Sequence, residues 1–141
     1  MGTGTILFVP LMDAYYYLKQ AKALNTRVSY RDSSRCIRTS IILTWVALEG
    51  AVGYELNKCQ KAGYERKLPA RLGDKLAFLF SKQETPFNFP EFKERRKIRN
   101  LIAHPSDSQT HMMSPLKEAQ QTFDYCLGLM RLFYSSHLSL E

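Results

Sequence analysis

Arg99, Asn100 and His104 share one ten-residue stretch, "RKIRNLIAHP" at 96–105, and their types suit work on a phosphate ester. An imidazole gives or takes a proton near neutral pH. A guanidinium holds phosphate oxygens with a permanent, planar fork. An amide can fix a neighbouring side chain or bind a ribose. RNA carries its own nucleophile, the ribose 2′-OH. Its cleavage needs a base for that proton, an acid for the leaving 5′-oxygen and positive charge at the phosphate, and no metal. A plainer use stands beside this one. Cations near a helix C-terminus complement the dipole and bind the last carbonyls, and the run "KERRKIR" is also what a solvated helix face looks like.

The geometry depends on a helix. Residues four apart lie on one face, so Arg96, Asn100 and His104 form a polar row, with Arg99 beside it and Ile98, Leu101 and Ile102 turned to the core. Pro90 suits the first turn of this helix. Pro105 disfavours helical geometry at His104 and should end it there. Glu49, at the edge of an apolar stripe earlier in the chain, needs a partner. Arg99 or Arg96 can supply one, either to orient the cluster or as a structural ion pair.

The remaining elements are helical by the same periodicity. "PLMDAYYYLKQAKAL" puts Leu11, Tyr15, Leu18 and Lys22 on one stripe and predicts a helix from Pro10. Asp32 or Ser33 can cap a long second helix with Ile37, Ile41, Trp45, Leu48, Val52, Leu56 and Cys59 in its stripe and Gly63 as its stop. Its middle is apolar nearly all round, and Ala47, Gly50, Ala51 and Gly53 would let neighbouring helices approach closely. "LPARLGDKLAFLFSK" is a third helix with Leu72, Leu76, Leu79 and Phe80 inward. The fifth starts at Ser114 and Pro115, with Leu116, Phe123, Leu127, Met130 and Tyr134 as its stripe. No stretch alternates over strand length. The expectation is an all-α fold: a compact up-and-down bundle of about five helices, one domain over residues 1–141.

Composition narrows the classes. The chain has 141 residues, 45% hydrophobic and 23% charged, which suits one domain with its own core and excludes a disordered or coiled-coil chain. A net charge of +7 favours an anionic partner, though a basic protein that binds none is equally compatible. Cys36, Cys59 and Cys126 form no CxxC pair, which argues against a zinc site or a disulfide framework. No HExxH, EF-hand loop or GxxxxGK[ST] is present, so no cofactor or metal is expected. "YYY" at 15–17 spreads round its helix and reads as packing. His111 and His137 read as idle loop and near-terminal residues. "MGTGTILFVPLMD" reads poorly as a signal peptide, Ile6 stands where a myristoylation signal wants Ser or Thr, and "IILTWVALEGAVGY" is short for a membrane span and contains Glu49. The expected setting is cytoplasmic, off the membrane.

"IRNLIAH" resembles the signature of the HEPN superfamily: Arg, a polar residue, a short spacer, then His. The context is similar too, since HEPN domains are helical bundles in which the motif closes a late helix before a loop and a final helix. The resemblance implies a metal-independent endoribonuclease, often a toxin or defence effector, working as a homodimer with two motifs facing one cleft. Arg99 and His104 would be the catalytic pair, with Asn100 orienting them and Arg96 and Glu49 in support. Lys93, Arg95 and Lys97 would guide the RNA backbone. One motif histidine per chain supplies one proton-transfer group at the site, which gives dimerisation a chemical motive. Some HEPN toxins carry a Tyr two residues past the His, modified by a partner nucleotidyltransferase. Ser106 stands there in this chain. The alternative is a catalytically silent HEPN module that binds RNA or a nucleotidyltransferase-like partner. In a toxin system an antitoxin would be a further partner.

Overall fold

The computed structural model describes residues 2–24, 30–61, 69–103 and 115–134. They form five helices, with no strand among the described residues: α1 (Gly2–Leu24), α2 (Tyr30–Lys61), α3 (Leu72–Lys82), α4 (Phe89–Ala103) and α5 (Pro115–Tyr134). The architecture is an all-α bundle.

Helix α2 is its axis, packed against α1, α3, α4 and α5. The expected row from Ile37 to Cys59 is buried throughout, with Ile41, Trp45, Leu48 and Val52 fully enclosed. Over Asp32–Cys59 this helix is long and apolar enough to cross a bilayer, and half of that window is buried inside the bundle. A core helix with neighbours on several sides has that composition for that reason. Gly63, the expected stop, lies outside the described residues.

The α1–α2 contact is closer than hydropathy suggests. The buried row of α1 is Leu11, Ala14, Leu18 and Ala21, whereas Tyr15 is half-buried and Lys22 exposed. The hydroxyl of Ser40 donates to the carbonyl oxygen of Ala14 at 2.8 Å, and that of Ser33 to Ala21 at 3.4 Å. Ala14 faces Ser40 and Ala21 faces Ser33, so the helices run antiparallel. A small residue on each side brings a hydroxyl within reach of a helix carbonyl, and neither serine is left with a buried, unpartnered hydroxyl. Of the four small residues expected to allow close approach in α2, Ala47 and Ala51 do lie in the core. Gly50 and Gly53 instead face solvent, and a Cβ at Gly53 would meet nothing within 4 Å.

Helix α1 does not begin at Pro10 but runs through it from Gly2. A proline removes one backbone donor, and the packing of Leu11, Ala14, Leu18 and Ala21 holds the helix beyond it. An exposed apolar row, Val9, Met12 and Tyr16, lines its outer face.

Helix α3 buries Leu76, Leu79 and Phe80, with Leu72 half-buried at its start. Lys82 at its end donates to the Cys59 thiol of α2 at 3.1 Å. The connection into α4 folds over an aromatic cluster: Phe87 lies edge-on to Phe80 at 5.0 Å, and Phe92 edge-on to Trp45 at 5.8 Å. Asn88 caps α4, its Oδ1 accepting from the Glu91 N–H at 3.0 Å, and Pro90 falls in the first turn as expected. Helix α5 turns Ala119, Thr122, Phe123, Cys126, Leu127 and Met130 inward. Of its expected stripe, Leu116 is half-buried and the Tyr134 side chain lies outside the description.

Candidate functional site

Helix α4 carries the candidate residues. Phe92 is buried, and one turn on, Arg96 follows it against α2. The Arg96 guanidinium lies 5.2 Å above the Trp45 ring, within the range of a cation–π contact. Its Nη2 stands 3.4 Å from Oε2 of Glu49. Of the two arginines available to Glu49 by sequence, the structure pairs it with Arg96. Nη1 of the same guanidinium is buried and has no partner among the described residues. The row against α2 is thus Phe92 and Arg96, with Ile98 only half-buried. The side chains of Leu101 and Ile102 lie outside the description.

Arg99 and Asn100 come next. Nη1 of Arg99 donates to Oδ1 of Asn100 at 3.2 Å. Arg99 is half-buried, and its Nε is enclosed without a partner among the described residues. Two arginines a turn apart therefore each keep an N–H that no described group answers. His104 and Ser106 lie outside the described residues, as do His111 and His137.

The other cations take different surroundings. Lys93 lies over the Phe89 ring at 5.2 Å and is exposed. Lys97 pairs with Glu94 at 3.4 Å on the open surface. Both sit on the solvent face. Arg95 points elsewhere: its Nη1 donates to Oε1 of Gln121 on α5 at 3.1 Å. The structure therefore does not gather Arg95 with Lys93 and Lys97.

Beneath this helix the charge is felt in α5. Burial pushes the Cys126 thiol above its ordinary range, and Arg96 and Arg95 pull it part of the way back. Tyr125 is raised as well, first by burial, then by Glu91 and Cys126, against the opposing effect of Arg95. No described group of three or more His, Cys, Asp or Glu is disposed to hold a metal ion.

Two cations escaped the reading of the sequence. Arg71 and Lys75, at the start of α3, line a cleft of about 600 Å³ together with Lys93, Arg96 and Glu49. Arg71 and Lys75 stand well before α4 in the chain, and nothing local to them announces the meeting. The packing of α3 and α4 on α2 and on each other brings them together.

No family model, curated protein or solved structure matches the chain.

Proposed function

We propose that the chain is a metal-independent endoribonuclease of the HEPN type. The observation that carries the reading is the Arg99–Asn100 bond of 3.2 Å near the end of α4, which fixes the fork of a half-buried arginine in the last turns before His104. An all-α bundle whose fourth helix carries Arg99 and Asn100 supports it, as does the net charge of +7.

In this reaction Arg99 grips the scissile phosphate with its fork and offsets the charge that builds on its oxygens. Asn100 holds that fork in place and offers its amide N–H groups to the ribose. His104, which follows α4 in the sequence, serves proton transfer, as acid to the 5′-oxygen or as base to the 2′-OH. A second copy of the chain supplies the second histidine. Arg96, braced by Glu49 and Trp45, holds positive charge beside the site.

The test is cleavage of RNA with EDTA present. The products should carry a 2′,3′-cyclic phosphate, and all-2′-deoxy substrate should survive. Wild type that binds RNA and cuts none would favour a silent binding module. Wild-type cleavage unchanged in His104→Ala would remove the site assignment. Sedimentation should show a dimer at tens of micromolar, a range in which modest interfaces associate.

A further inference from the structure

The cleft between α2, the start of α3 and α4 lies toward the opposite end of α4 from the motif, and Arg96 is the residue placed to serve both. It has a volume of about 600 Å³, within the range of small-ligand sites and nucleotide-sized rather than duplex-sized. Four cations converge on it from two helices: Arg71 and Lys75 from the start of α3, Lys93 and Arg96 from α4. Two carboxylates, Glu49 and Asp74, also line it, and Glu49 is already paired with Arg96. The balance is positive. Arg96 brings an enclosed Nη1 without a described partner. Arg71 stands at the N-cap of α3 and makes no side-chain cap bond, while Asp74 in the first turn offsets part of the helix's positive end. The walls between the cations are apolar, built from Leu72 and the rings of Phe89 and Phe92.

We propose that this cleft is a subsite for single-stranded RNA, resting on the endoribonuclease reading, in which Arg71, Lys75, Lys93 and Arg96 hold a backbone phosphate beside the strand engaged at Arg99. The cations answer the phosphate, and the apolar wall takes the ribose or base of the same nucleotide. A duplex keeps its bases stacked inside and presents only its outer surface, so it cannot fill a cleft of this size.

The experiment measures fluorescence anisotropy of a short labelled 2′-O-methyl RNA, which lacks the nucleophile and stays intact. Wild type is compared with the double variant Arg71→Gln/Lys75→Gln and with Lys19→Gln/Lys22→Gln, which removes equal charge from α1. The cleft variant should bind at least about tenfold more weakly, with the slope of log K against log salt flatter by about 0.7, the loss of the one single-strand phosphate contact the cleft makes. The α1 variant should lose less than about threefold by the same electrostatic measure. Lys93→Gln, a single exposed change, provides a second cleft variant should the double one fold poorly, and it too should weaken binding. Equal losses in both double variants, no loss in the cleft variants, or equally tight binding of the duplexed probe would overturn the proposal. So would full displacement of the probe by millimolar inorganic phosphate at constant ionic strength, which marks a small-anion site. A parallel cleavage assay on unmodified RNA separates the two readings. Cleft-dependent binding with no strand cut keeps the subsite and removes the nuclease, whereas cutting with cleft-independent binding removes the subsite alone.

Discussion

Arg96 and Glu49 join α4 to α2 at 3.4 Å, and the same guanidinium lies over the buried Trp45 ring. The pair is only partly desolvated, with 24% of the Arg96 side chain and 40% of the Glu49 side chain exposed. Such a pair contributes modestly, about 1 kcal/mol or less after solvent screening. A double-mutant cycle with Glu49→Gln and Arg96→Met should give a coupling of that size. Arg96→Met alone should cost more than Glu49→Gln, because it also loses the cation–π contact. Denaturant unfolding followed by the single tryptophan reads both. A coupling of several kcal/mol would mean the pair is far drier than its exposure indicates.

Two glycines should respond with opposite signs to the same change. A Cβ at Gly53 would meet nothing within 4 Å, in an exposed stretch of α2. Gly53→Ala should stabilise the protein by about 0.5–1 kcal/mol, the conformational cost of glycine inside a helix. A Cβ at Gly73 would lie 3.0 Å from Phe92 and 3.1 Å from Phe89. Phe92 is wedged against Trp45 and Phe87 and has little room to give. Overpacking of that kind costs about 1–3 kcal/mol and outweighs the helix gain. Thermal melts of the two variants should move in opposite directions.

The core of α2 was legible because its apolar residues repeat at three- and four-residue steps over seven positions, all buried as expected. In the stripe of α1, Leu11 and Leu18 are buried as expected, but Tyr15 and Lys22 stand one position past the buried Ala14 and Ala21. Tyr15 looks like core, yet Ala14 makes the contact, since only a small side chain lets Ser40 reach a carbonyl at 2.8 Å. A pairing between two helices leaves no periodic trace in either one. Within the candidate site, Arg99 and Asn100 were legible as neighbours in the chain. Arg96 was expected on a polar row, but it packs on Trp45 because a guanidinium carries a flat face as well as a charge. Arg71 and Lys75 left no local signal. They reach the cleft through tertiary packing alone.

Alkaline pH should weaken the fold, and Cys126 should carry part of the effect. Its thiol is fully buried and held above the ordinary value of 9.0, chiefly by burial. The unfolded chain therefore releases this proton at lower pH than the folded one. The contribution to stability is complete below pH 9 and declines as pH rises past it, by roughly 1.4 kcal/mol per unit from this one group. Tyr125 adds to the decline from its own ordinary value of 10.0 upward. Cys126→Ala should be less stable than wild type at pH 7, from the small cavity it leaves. The gap should narrow between pH 9 and pH 10, and a gap that stays constant would show that the thiol ionises alike in both states.

Arg99 gives the sharpest division between a chemical and a structural role for the motif. Its Nη1 bonds to Asn100, and its Nε is enclosed without a partner among the described residues. Arg99→Lys keeps the charge and loses the planar fork. It should bind RNA within about threefold of wild type, because the electrostatic part of affinity counts charge. It should cleave at least about a hundredfold more slowly, the scale on which losing one preorganised donor to a transition-state charge is felt. Asn100→Ala leaves the fork without its brace and should lose rate with little change in binding. His104→Ala should fall by roughly two orders of magnitude or more, as removal of an acid–base group does. Single-turnover cleavage at saturating enzyme separates rate from affinity. Parallel losses of binding and cleavage in Arg99→Lys would mean that the arginine only anchors RNA, and the chemistry would then have to be sought elsewhere on the bundle.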